Sequence, residues 1–328
     1  MTDRIRVGIV GYGNLGRGVE TSIALNPDLE LVGVFSRRDP LSVTPVRPDT
    51  AVYALAELDA FAGRIDVLIL CGGSKSDLPE QTPELAGKFT VVDSFDTHAR
   101  IPEHFAAVQA AAAAGGTVAI ISTGWDPGLF SLNRLFGEAI IPRGESYTFW
   151  GRGLSQGHSD ALRRIPGVAG AVQYTLPSES AIERVRAGEN PELTTREKHE
   201  RECFVALEDG ADEASVRETI VTMPDYFEPY DTVVHFITAE ELARDHAGMP
   251  HGGFVIRSGE SSEGVSQTIE YRLALDSNPE FTSSVLVAYA RAAARLAARG
   301  ETGAFTPFDV APGLLSPKSA EQLRAELL

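Results

Sequence analysis

The stretch IRVGIVGYGNLG, residues 5–16, decides the fold of this chain. Its first half, Ile5–Val10, is apolar and β-branched, which is typical of a strand covered on both faces. The second half has the pattern Gly-x-Gly-x-x-Gly, and Leu15, Val19 and Ile23 follow at helical spacing. The stretch therefore predicts a strand, a tight glycine turn and a helix.

The alternation of strands and helices continues downstream. An alanine-rich helical pattern spans 102–114, and further apolar runs lie at residues 29–35, 67–70, 91–96 and 117–122. Strands that alternate with helices predict a parallel sheet covered on both faces, because each right-handed crossover returns the chain to the end of the sheet where the previous strand began. The first part of the chain, residues 1–122, is therefore predicted to be an α/β Rossmann domain, a doubly wound parallel sheet.

The texture of the sequence changes after about residue 122. Long segments that alternate apolar and polar residues follow at 145–150, 200–206, 232–237 and 265–275. They predict a second, α+β domain over residues 123–282, in which a mixed or antiparallel sheet with one helical face holds the substrate. The closing segment, about 283–328, begins with an alanine-rich amphipathic helix, and we expect it to pack back onto the first domain.

The composition argues against several kinds of partner. The net charge is −17, with 46 acidic and 29 basic residues, so neither nucleic acid nor an anionic membrane is expected to bind. There are two cysteines, and no histidine cluster has metal-ligand spacing, so neither a disulfide framework nor a metal site is expected. With no signal-like or membrane-spanning apolar run, we expect a cytoplasmic protein.

The glycine pattern after the first strand predicts a dinucleotide site. Gly11 allows the tight turn, Gly13 lets a pyrophosphate approach the backbone, and Gly16 lets the helix pack closely on the strand. The helix N-terminus then faces the phosphate charge. The predicted contact segment consists of Gly11, Tyr12, Gly13, Asn14 and Leu15.

The end of the second strand decides between NAD and NADP. An NAD site usually carries an acidic residue there, to bind the ribose hydroxyls. This chain has Ser36, Arg37 and Arg38 instead. Because arginine offers paired donors to phosphate oxygens, the sequence favours NADP. The alternative is a basic turn that only contacts solvent.

Two later strand ends are expected to border the same cofactor. The second of them carries Ser94 and Phe95, and the first carries the small residues Cys71, Gly72, Gly73 and Ser74. Small residues permit close approach to the nicotinamide half. Cys71 is either a nucleophile or a buried thiol without a chemical role, and the lack of an adjacent base in the sequence favours the second.

Several dense motifs follow one another along most of the chain. They are VDSFDTH at 92–98, STGWDPG at 122–128, FWGRGLSQGHSDALRRIPG at 149–167, QYTLPS at 173–178, HEREC at 199–203, MPHGG at 249–253 and DSNP at 276–279. Together with the glycine turn, this set resembles the meso-diaminopimelate dehydrogenase family. STGWDPG followed by GLSQGHSDALRRIPG is far more specific than any glycine triplet.

The resemblance implies NADP-dependent, reversible oxidative deamination of the D-centre of meso-2,6-diaminopimelate, which gives L-2-amino-6-oxopimelate and ammonia in lysine and peptidoglycan-precursor biosynthesis. It implies Asp96 and Asp126 as catalytic residues that hold the reacting ammonium group, with Trp125 forming a wall. The backbone of Gln156 and Gly157 would donate to the adjacent carboxylate.

At the other end of the substrate, the resemblance implies four binding residues, Thr175, Arg201, His251 and Asn278. Arg201 would bind the distal carboxylate with its fork of donors. Phe149 would pack against the bound chain. The resemblance also implies a homodimer.

Each of these residues has a structural alternative. Asp126 precedes a proline and could cap a helix, and Arg201 with His199 could form a charged stripe that faces solvent. Turn or core positions are the alternatives for His251, Asn278, Trp125 and Phe149.

Other functions stay open on the sequence alone. They are another NADP enzyme of the same build, such as a homoserine or semialdehyde dehydrogenase, a D-amino-acid dehydrogenase of relaxed specificity, and a non-catalytic NADPH-binding regulator. The joint presence of Asp96, Asp126, Arg201 and His251 argues against the regulator, because a sensor would not need both ends of a substrate clamp.

Overall fold

The computed structural model describes residues 4–328, and at Gln156 it describes the backbone alone. The chain forms two compact units. The first runs to Leu132 and resumes over Pro279–Leu328, and the second is Asn133–Asn278. The sequence placed the two boundaries at 122 and 282.

The strands, in chain order, are β1 (Ile5–Val10), β2 (Leu29–Ser36), β3 (Val52–Ala54), β4 (Val67–Leu70), β5 (Val91–Asp93), β6 (Val118–Ile120), β7 (Arg143–Trp150), β8 (Gly153–Leu154), β9 (Val168–Pro177), β10 (His199–Leu207), β11 (Asp231–Phe236), β12 (His251–Ser262), β13 (Val265–Leu275) and β14 (Gly303–Phe305). The α-helices are α1 (Asn14–Ala24), α2 (Leu78–Ala86), α3 (Ile101–Gly115), α4 (Leu129–Ile140), α5 (Gln156–Arg163), α6 (Glu179–Arg186), α7 (Thr195–Lys198), α8 (Glu213–Val221), α9 (Ala239–Asp245), α10 (Asn278–Ala298) and α11 (Ala320–Leu327). Of these helices, none is both long and apolar enough to cross a membrane.

The first unit is built on a seven-stranded sheet in the order β14-β6-β5-β4-β1-β2-β3. All of its strand pairs are parallel. The chain moves outward from β1 in both directions, so the doubly wound Rossmann arrangement predicted from the sequence is confirmed. The strands β3 and β14 were not predicted, because they are short and only partly buried and lack the apolar, β-branched run that marks β5 and β6, which are equally short.

The core of the first unit lies on both faces of this sheet. Successive residues of β4 belong to different clusters: Val67 and Ile69 face one, and Leu68 and Leu70 face the other. All four are fully buried, as expected for a parallel strand between two helical layers. Side chains of α10 share the first cluster with β1.

The second unit contains two sheets where the sequence predicted one. The four-stranded sheet has the order β11-β10-β9-β8 and the three-stranded sheet has the order β13-β12-β7. The first is mixed, because α8 carries the chain back so that β11 lies parallel to β10. The second is antiparallel throughout, because the long hairpin of β12 and β13 adds to β7.

Candidate functional site

The glycine turn lies between β1 and α1, at the carboxyl edge of the sheet where β1 adjoins β4. Gly11 has φ +89°, a left-handed conformation that glycine adopts without strain. A Cβ on Gly16 would lie 2.4 Å from the carbonyl oxygen of Gly11, whereas a Cβ on Gly13 would have no described atom within 4 Å. The turn is therefore closely packed at Gly16 and open at Gly13. An open position beside the helix N-terminus is what a pyrophosphate requires.

The side chain of Tyr12 is buried, so only its backbone is available to a ligand in this turn. The phenol hydroxyl donates to the Glu20 carboxylate on α1 and accepts the amide N–H of Val46 at 2.8 Å. Burial raises the pKa of Tyr12 to about 12, so the hydroxyl keeps its proton. The side chain thus ties α1 to the loop after β2. Asn14 and Leu15 are the first residues of α1.

The basic turn after β2 adjoins the glycine turn. Arg38 donates from Nη2 to the carbonyl oxygen of Tyr12 at 2.6 Å, and Arg37 donates to the Asp77 carboxylate at 2.7 Å. Asp77 also accepts the amide N–H of Gly73 at 2.7 Å. Ser36 and Arg37 line a groove of about 570 Å³. Arg38 is therefore bonded directly to the glycine turn, whereas Arg37 pairs with Asp77 and keeps a side chain that is 67% exposed. Phosphate binding by the two arginines stays a prediction.

Cys71 lies at the end of β4 beside Gly72, where its amide N–H donates to the carbonyl oxygen of Val10 at 2.8 Å. Burial raises the pKa of the Cys71 thiol far above its usual value. A thiol that keeps its proton is a poor nucleophile. Of the two interpretations, the raised pKa favours a thiol without a chemical role, in a residue that is half-buried.

The loops after β4 and β5 are joined through Ser74. Its hydroxyl accepts the amide N–H of Asp96 at 2.8 Å and lies 3.3 Å from the hydroxyl of Thr97. The side chain of Asp96 is exposed, that of Ser94 is half-buried, and that of Phe95 is buried. Asp96 is thus the member of this loop whose carboxylate is accessible to a ligand.

The loop after β6 carries Trp125 and Asp126. Trp125 is buried and packs edge-to-face on Phe130 of α4, with 5.2 Å between ring centroids. The amide N–H of Phe130 donates to the carbonyl oxygen of Trp125 at 2.8 Å. Asp126 is half-buried and precedes Pro127 through a cis peptide bond. Trp125 is therefore packed against α4 and stabilises the loop.

In the second unit, Arg201 and Thr175 face each other across β10 and β9. Arg201 is 6% exposed, donates from Nη1 to the hydroxyl of Thr175, and stacks on the Tyr230 ring with its guanidinium carbon 3.8 Å from the centroid. No described carboxylate pairs with it, and its Nε has no partner among the described atoms. Burial lowers the pKa of Arg201. The solvent-facing stripe is therefore wrong for Arg201.

His251 begins β12 of the three-stranded sheet, and its ring lies against β8 of the four-stranded sheet. Gly153 on β8 pairs with Thr175 on β9, and a Cβ on Gly153 would lie 2.4 Å from the His251 ring. The missing side chain therefore makes room for the imidazole. The amide N–H of Asn278, at the start of α10, donates to the carbonyl oxygen of Met249 at 2.9 Å, close to His251 in the chain. The structure brings Thr175 and Arg201 together on the four-stranded sheet, and it places His251, which begins β12 of the three-stranded sheet, against β8 at the edge of the four-stranded sheet.

His199 is on the same face of β10 as Arg201 and is 2% exposed. Its Nε2 accepts the amide N–H of Trp150 at 2.8 Å. Burial, with the nearby Arg201 charge, lowers the pKa of His199 to about 3. The imidazole is therefore neutral, and it is neither solvent-facing nor a proton donor near neutral pH.

A stability measurement checks the state of His199. The folded pKa lies below the unfolded value of 6.5, so the unfolded chain binds the proton more tightly. The stability contribution is complete above pH 6.5 and is lost as the pH falls towards 3; at pH 5.5 the loss is about 1.4 kcal/mol. Urea midpoints at pH 8 and 5.5 should show this loss, and His199→Gln should remove most of it. An equal loss in both proteins would contradict a neutral buried His199.

Three other predicted residues of this unit have different settings. Phe149 is fully buried with Tyr147, Ile182 and Ile256, the core position named as its alternative, so it has no exposed face for a ligand. Gly157 is exposed near the start of α5. The backbone of Gln156, which is predicted to bind the substrate carboxylate, begins this helix, and the side chain of Gln156 lies outside the part of the chain that the structure describes.

Two buried polar residues were missed by the sequence reasoning. Asp93 ends β5 and Gln173 lies on β9, one inward position before Thr175, and both are fully buried. Each is a polar residue at an inward-facing position of a strand, which is the signal that could have identified them. Among residues 4–328, no group of three metal-binding side chains could hold an ion.

Known proteins are similar to this chain over both of its units. Residues 124–277 match the family model described as "Diaminopimelic acid dehydrogenase C-terminal domain". The meso-diaminopimelate D-dehydrogenase of Ureibacillus thermosphaericus is 65% identical over 99% of both chains. The solved DAP dehydrogenase of C. glutamicum in complex with DAP is 51% identical over 100% of both chains, with a TM-score of 0.92.

A second solved structure is an engineered D-amino acid dehydrogenase bound to NADP+, which is 49% identical with a TM-score of 0.86 and covers 99% of this chain and 100% of its own. Identity at this level over nearly the whole length shows the family. The chain belongs to the meso-diaminopimelate D-dehydrogenase family and is an enzyme, a dehydrogenase.

Proposed function

We propose that this enzyme catalyses the reversible oxidative deamination of meso-2,6-diaminopimelate at its D-centre. Substrate, NADP+ and water give L-2-amino-6-oxopimelate, ammonia, NADPH and a proton. The membership in the family supports this reaction, and the observation that carries the substrate assignment is the buried cation Arg201.

Arg201 supports an anionic ligand for a simple physical reason. A buried guanidinium without a counter-charge is strongly unfavourable, and within the described residues no carboxylate pairs with Arg201. A ligand carboxylate would supply the charge and would accept from Nε, the nitrogen without a described partner. Thr175 and His251 are the polar neighbours expected at the same distal amino-acid group, and Asn278 is assigned there by the resemblance.

NADP fits the first unit. The pyrophosphate is expected over Gly13 at the N-terminus of α1, and Arg37 and Arg38 are expected to bind the 2′-phosphate, with Ser36 beside them. The strand-end residues Gly72, Gly73 and Ser74, together with Ser94, would border the nicotinamide half. When bound, NADP supplies a hydride acceptor.

The reacting centre needs groups that orient an amine and receive its proton. An ammonium must lose a proton before its carbon gives up a hydride, and a carboxylate within hydrogen-bond reach can accept that proton. We assign this work to Asp96 and Asp126, both in the first unit, with Trp125 holding the Asp126 loop. Backbone N–H groups of Gln156 and Gly157 would bind the adjacent carboxylate. The released imine is hydrolysed by water.

A substrate panel tests this function. We expect NADP reduction with meso-diaminopimelate, much slower reduction with the LL isomer because it lacks a D-centre, and weak activity with D-alanine because it lacks the distal group. NAD in place of NADP should support much less activity. Equal rates with D-alanine and meso-diaminopimelate would favour a D-amino-acid dehydrogenase of relaxed specificity.

We also propose a homodimer in the cytoplasm. Both cysteines, Cys71 and Cys203, are free thiols, which suits a reducing compartment. The assembly is an inference from the family resemblance. Light scattering during size-exclusion chromatography should give twice the mass of 35.2 kDa, and the monomer mass would contradict it.

A further inference from the structure

The carboxylate of Asp93 is buried at 0% exposure and saturated with hydrogen bonds. Its Oδ1 accepts the amide N–H of Phe95 at 3.0 Å and of Ser122 at 2.9 Å. Its Oδ2 accepts the hydroxyl of Thr82 at 2.8 Å and lies 2.8 Å from His104 Nε2. Since backbone N–H groups can only donate, Oδ1 must act as an acceptor of both bonds.

These bonds reach the two loops that bear the assigned catalytic groups. Phe95 directly precedes Asp96 in the loop after β5. Ser122 opens the loop after β6, and the next residue, Thr123, donates its N–H at 3.0 Å and its hydroxyl at 2.7 Å to the carbonyl oxygen of Asp93. One residue therefore fixes the start of the Asp96 loop and the start of the Asp126 loop.

The same carboxylate is anchored from the opposite side by helices. Thr82 belongs to α2 and His104 to α3. The His104 ring also stacks on Phe95, with 4.1 Å between centroids and 16° between planes. Through Asp93, both loops are thereby connected to two packed helices, which are more rigid supports than a loop.

This arrangement holds the backbone of Ser122 in an unfavourable conformation. It has φ +57°, a left-handed conformation that is uncommon for residues other than glycine. Its hydroxyl is buried and has no partner among the described atoms. Such conformations persist when the surroundings over-determine them, and they cluster at functional sites. Here the bond from the Ser122 N–H to Asp93 is the restraint.

We propose that Asp93 is a positioning residue of the dehydrogenase reaction, because its carboxylate and its backbone carbonyl together hold the Asp96 and Asp126 loops in one fixed arrangement. The inference rests on the proposed function, in which these two aspartates act on the reacting amine. The carboxylate of Asp93 is fully buried, so we assign it no direct contact with substrate. It acts by limiting how far each catalytic carboxylate can move from its place.

Asp93→Asn tests the proposal. The amide oxygen can still accept both loop N–H groups, while the NH₂ group faces Thr82 and His104, which can turn to accept; the neutral oxygen, however, binds the loops more weakly. We expect kcat to fall by about 10- to 100-fold, as for a small misplacement of reacting groups. The primary isotope effect on kcat, measured with substrate deuterated at the D-centre, should rise because hydride transfer becomes slower than product release.

The isotope effect separates positioning from loss of folded enzyme. A partly unfolded preparation lowers the apparent kcat but leaves the isotope effect unchanged, because every folded molecule reacts as before. NADPH affinity should stay within about twofold, since no described bond joins Asp93 to the glycine turn or to the arginines after β2, which are expected to bind the cofactor phosphates. An isotope effect and kcat equal to those of the wild type would overturn the proposal. A wild type without turnover would overturn the proposed function as well.

A matched pair of variants keeps the test valid if the Asn variant fails to fold. Thr123→Val and Thr82→Val each remove one buried hydroxyl bond to Asp93, at 2.7 and 2.8 Å, without a change in side-chain shape. Thr123→Val loosens the Asp126 loop and should raise the isotope effect. Thr82→Val removes only a helix anchor and should lower the urea midpoint with the isotope effect unchanged. Equal isotope effects in the two variants would contradict the proposal.

Discussion

Arg201→Met is expected to raise the KM for meso-diaminopimelate by more than about tenfold, because a hydrogen bond to a charged group contributes roughly 1.5–3 kcal/mol. Methionine has a similar length and tolerates burial at this 6% exposed position, so the sheet should remain folded. The lost guanidinium leaves Thr175 as the nearest donor for the distal carboxylate. Steady-state kinetics across a range of substrate concentrations gives the change.

Two comparisons make the Arg201 result specific. D-Alanine carries a reacting D-centre but no distal carboxylate, so its KM should change by less than about twofold in the same variant. Arg201→Lys restores the charge without the fork of donors and should give an intermediate KM. An unchanged KM for meso-diaminopimelate, or an equal rise for D-alanine, would show that Arg201 does not bind the distal carboxylate.

The burial of Arg201 could have been anticipated only in part. Along β10 the inward positions are His199, Arg201, Cys203 and Val205, and the last two are apolar and buried. The alternation of a strand therefore places the histidine and the arginine on the core face. What the sequence lacks is the partner strands, and it is Thr175 on β9 and Tyr230 before β11 that surround the guanidinium.

The Rossmann unit was predictable because its decisive features are local. The glycine turn, the strand before it and the helix after it lie within about twenty residues, and each requirement concerns neighbours in the chain. The sheets of the second unit were less predictable. Whether β11 pairs in parallel or antiparallel fashion depends on the path of α8, and such long-range pairing leaves no mark in the strand itself.

The Asp93 contacts show where sequence reasoning ends. Thr82, His104 and Ser122 are 11, 11 and 29 positions away from it, and no spacing rule links them. These residues lie in the segments that follow β4, β5 and β6. Only because the three strands are adjacent and parallel do those segments begin at the same end of the sheet. A buried aspartate at a strand end is the one feature of this cluster that the sequence displays.

The second large effect concerns the cofactor: Gly13→Ala is expected to raise the Kd for NADPH by more than about 100-fold. Two charge-assisted bonds from the turn to the pyrophosphate, at roughly 1.5 kcal/mol or more each, would be lost when a Cβ occupies their approach. The stability of the protein without cofactor should not fall. Gly13 has φ −98° and ψ −155°, which alanine also adopts, and its Cβ would have no described atom within 4 Å.

Gly16→Ala provides the contrast that identifies the cause. There the Cβ would lie 2.4 Å from the carbonyl oxygen of Gly11, and backbone cannot yield as a side chain does. We therefore expect Gly16→Ala to lower the unfolding midpoint of the free protein. Gly13→Ala should leave it almost unchanged, because the restriction of the unfolded chain by alanine offsets the preference of the N-cap position for glycine. Fluorescence titration with NADPH and thermal melts without cofactor measure the two quantities separately. If Gly13→Ala lost stability and affinity together, the space above Gly13 would belong to the fold and not to the dinucleotide.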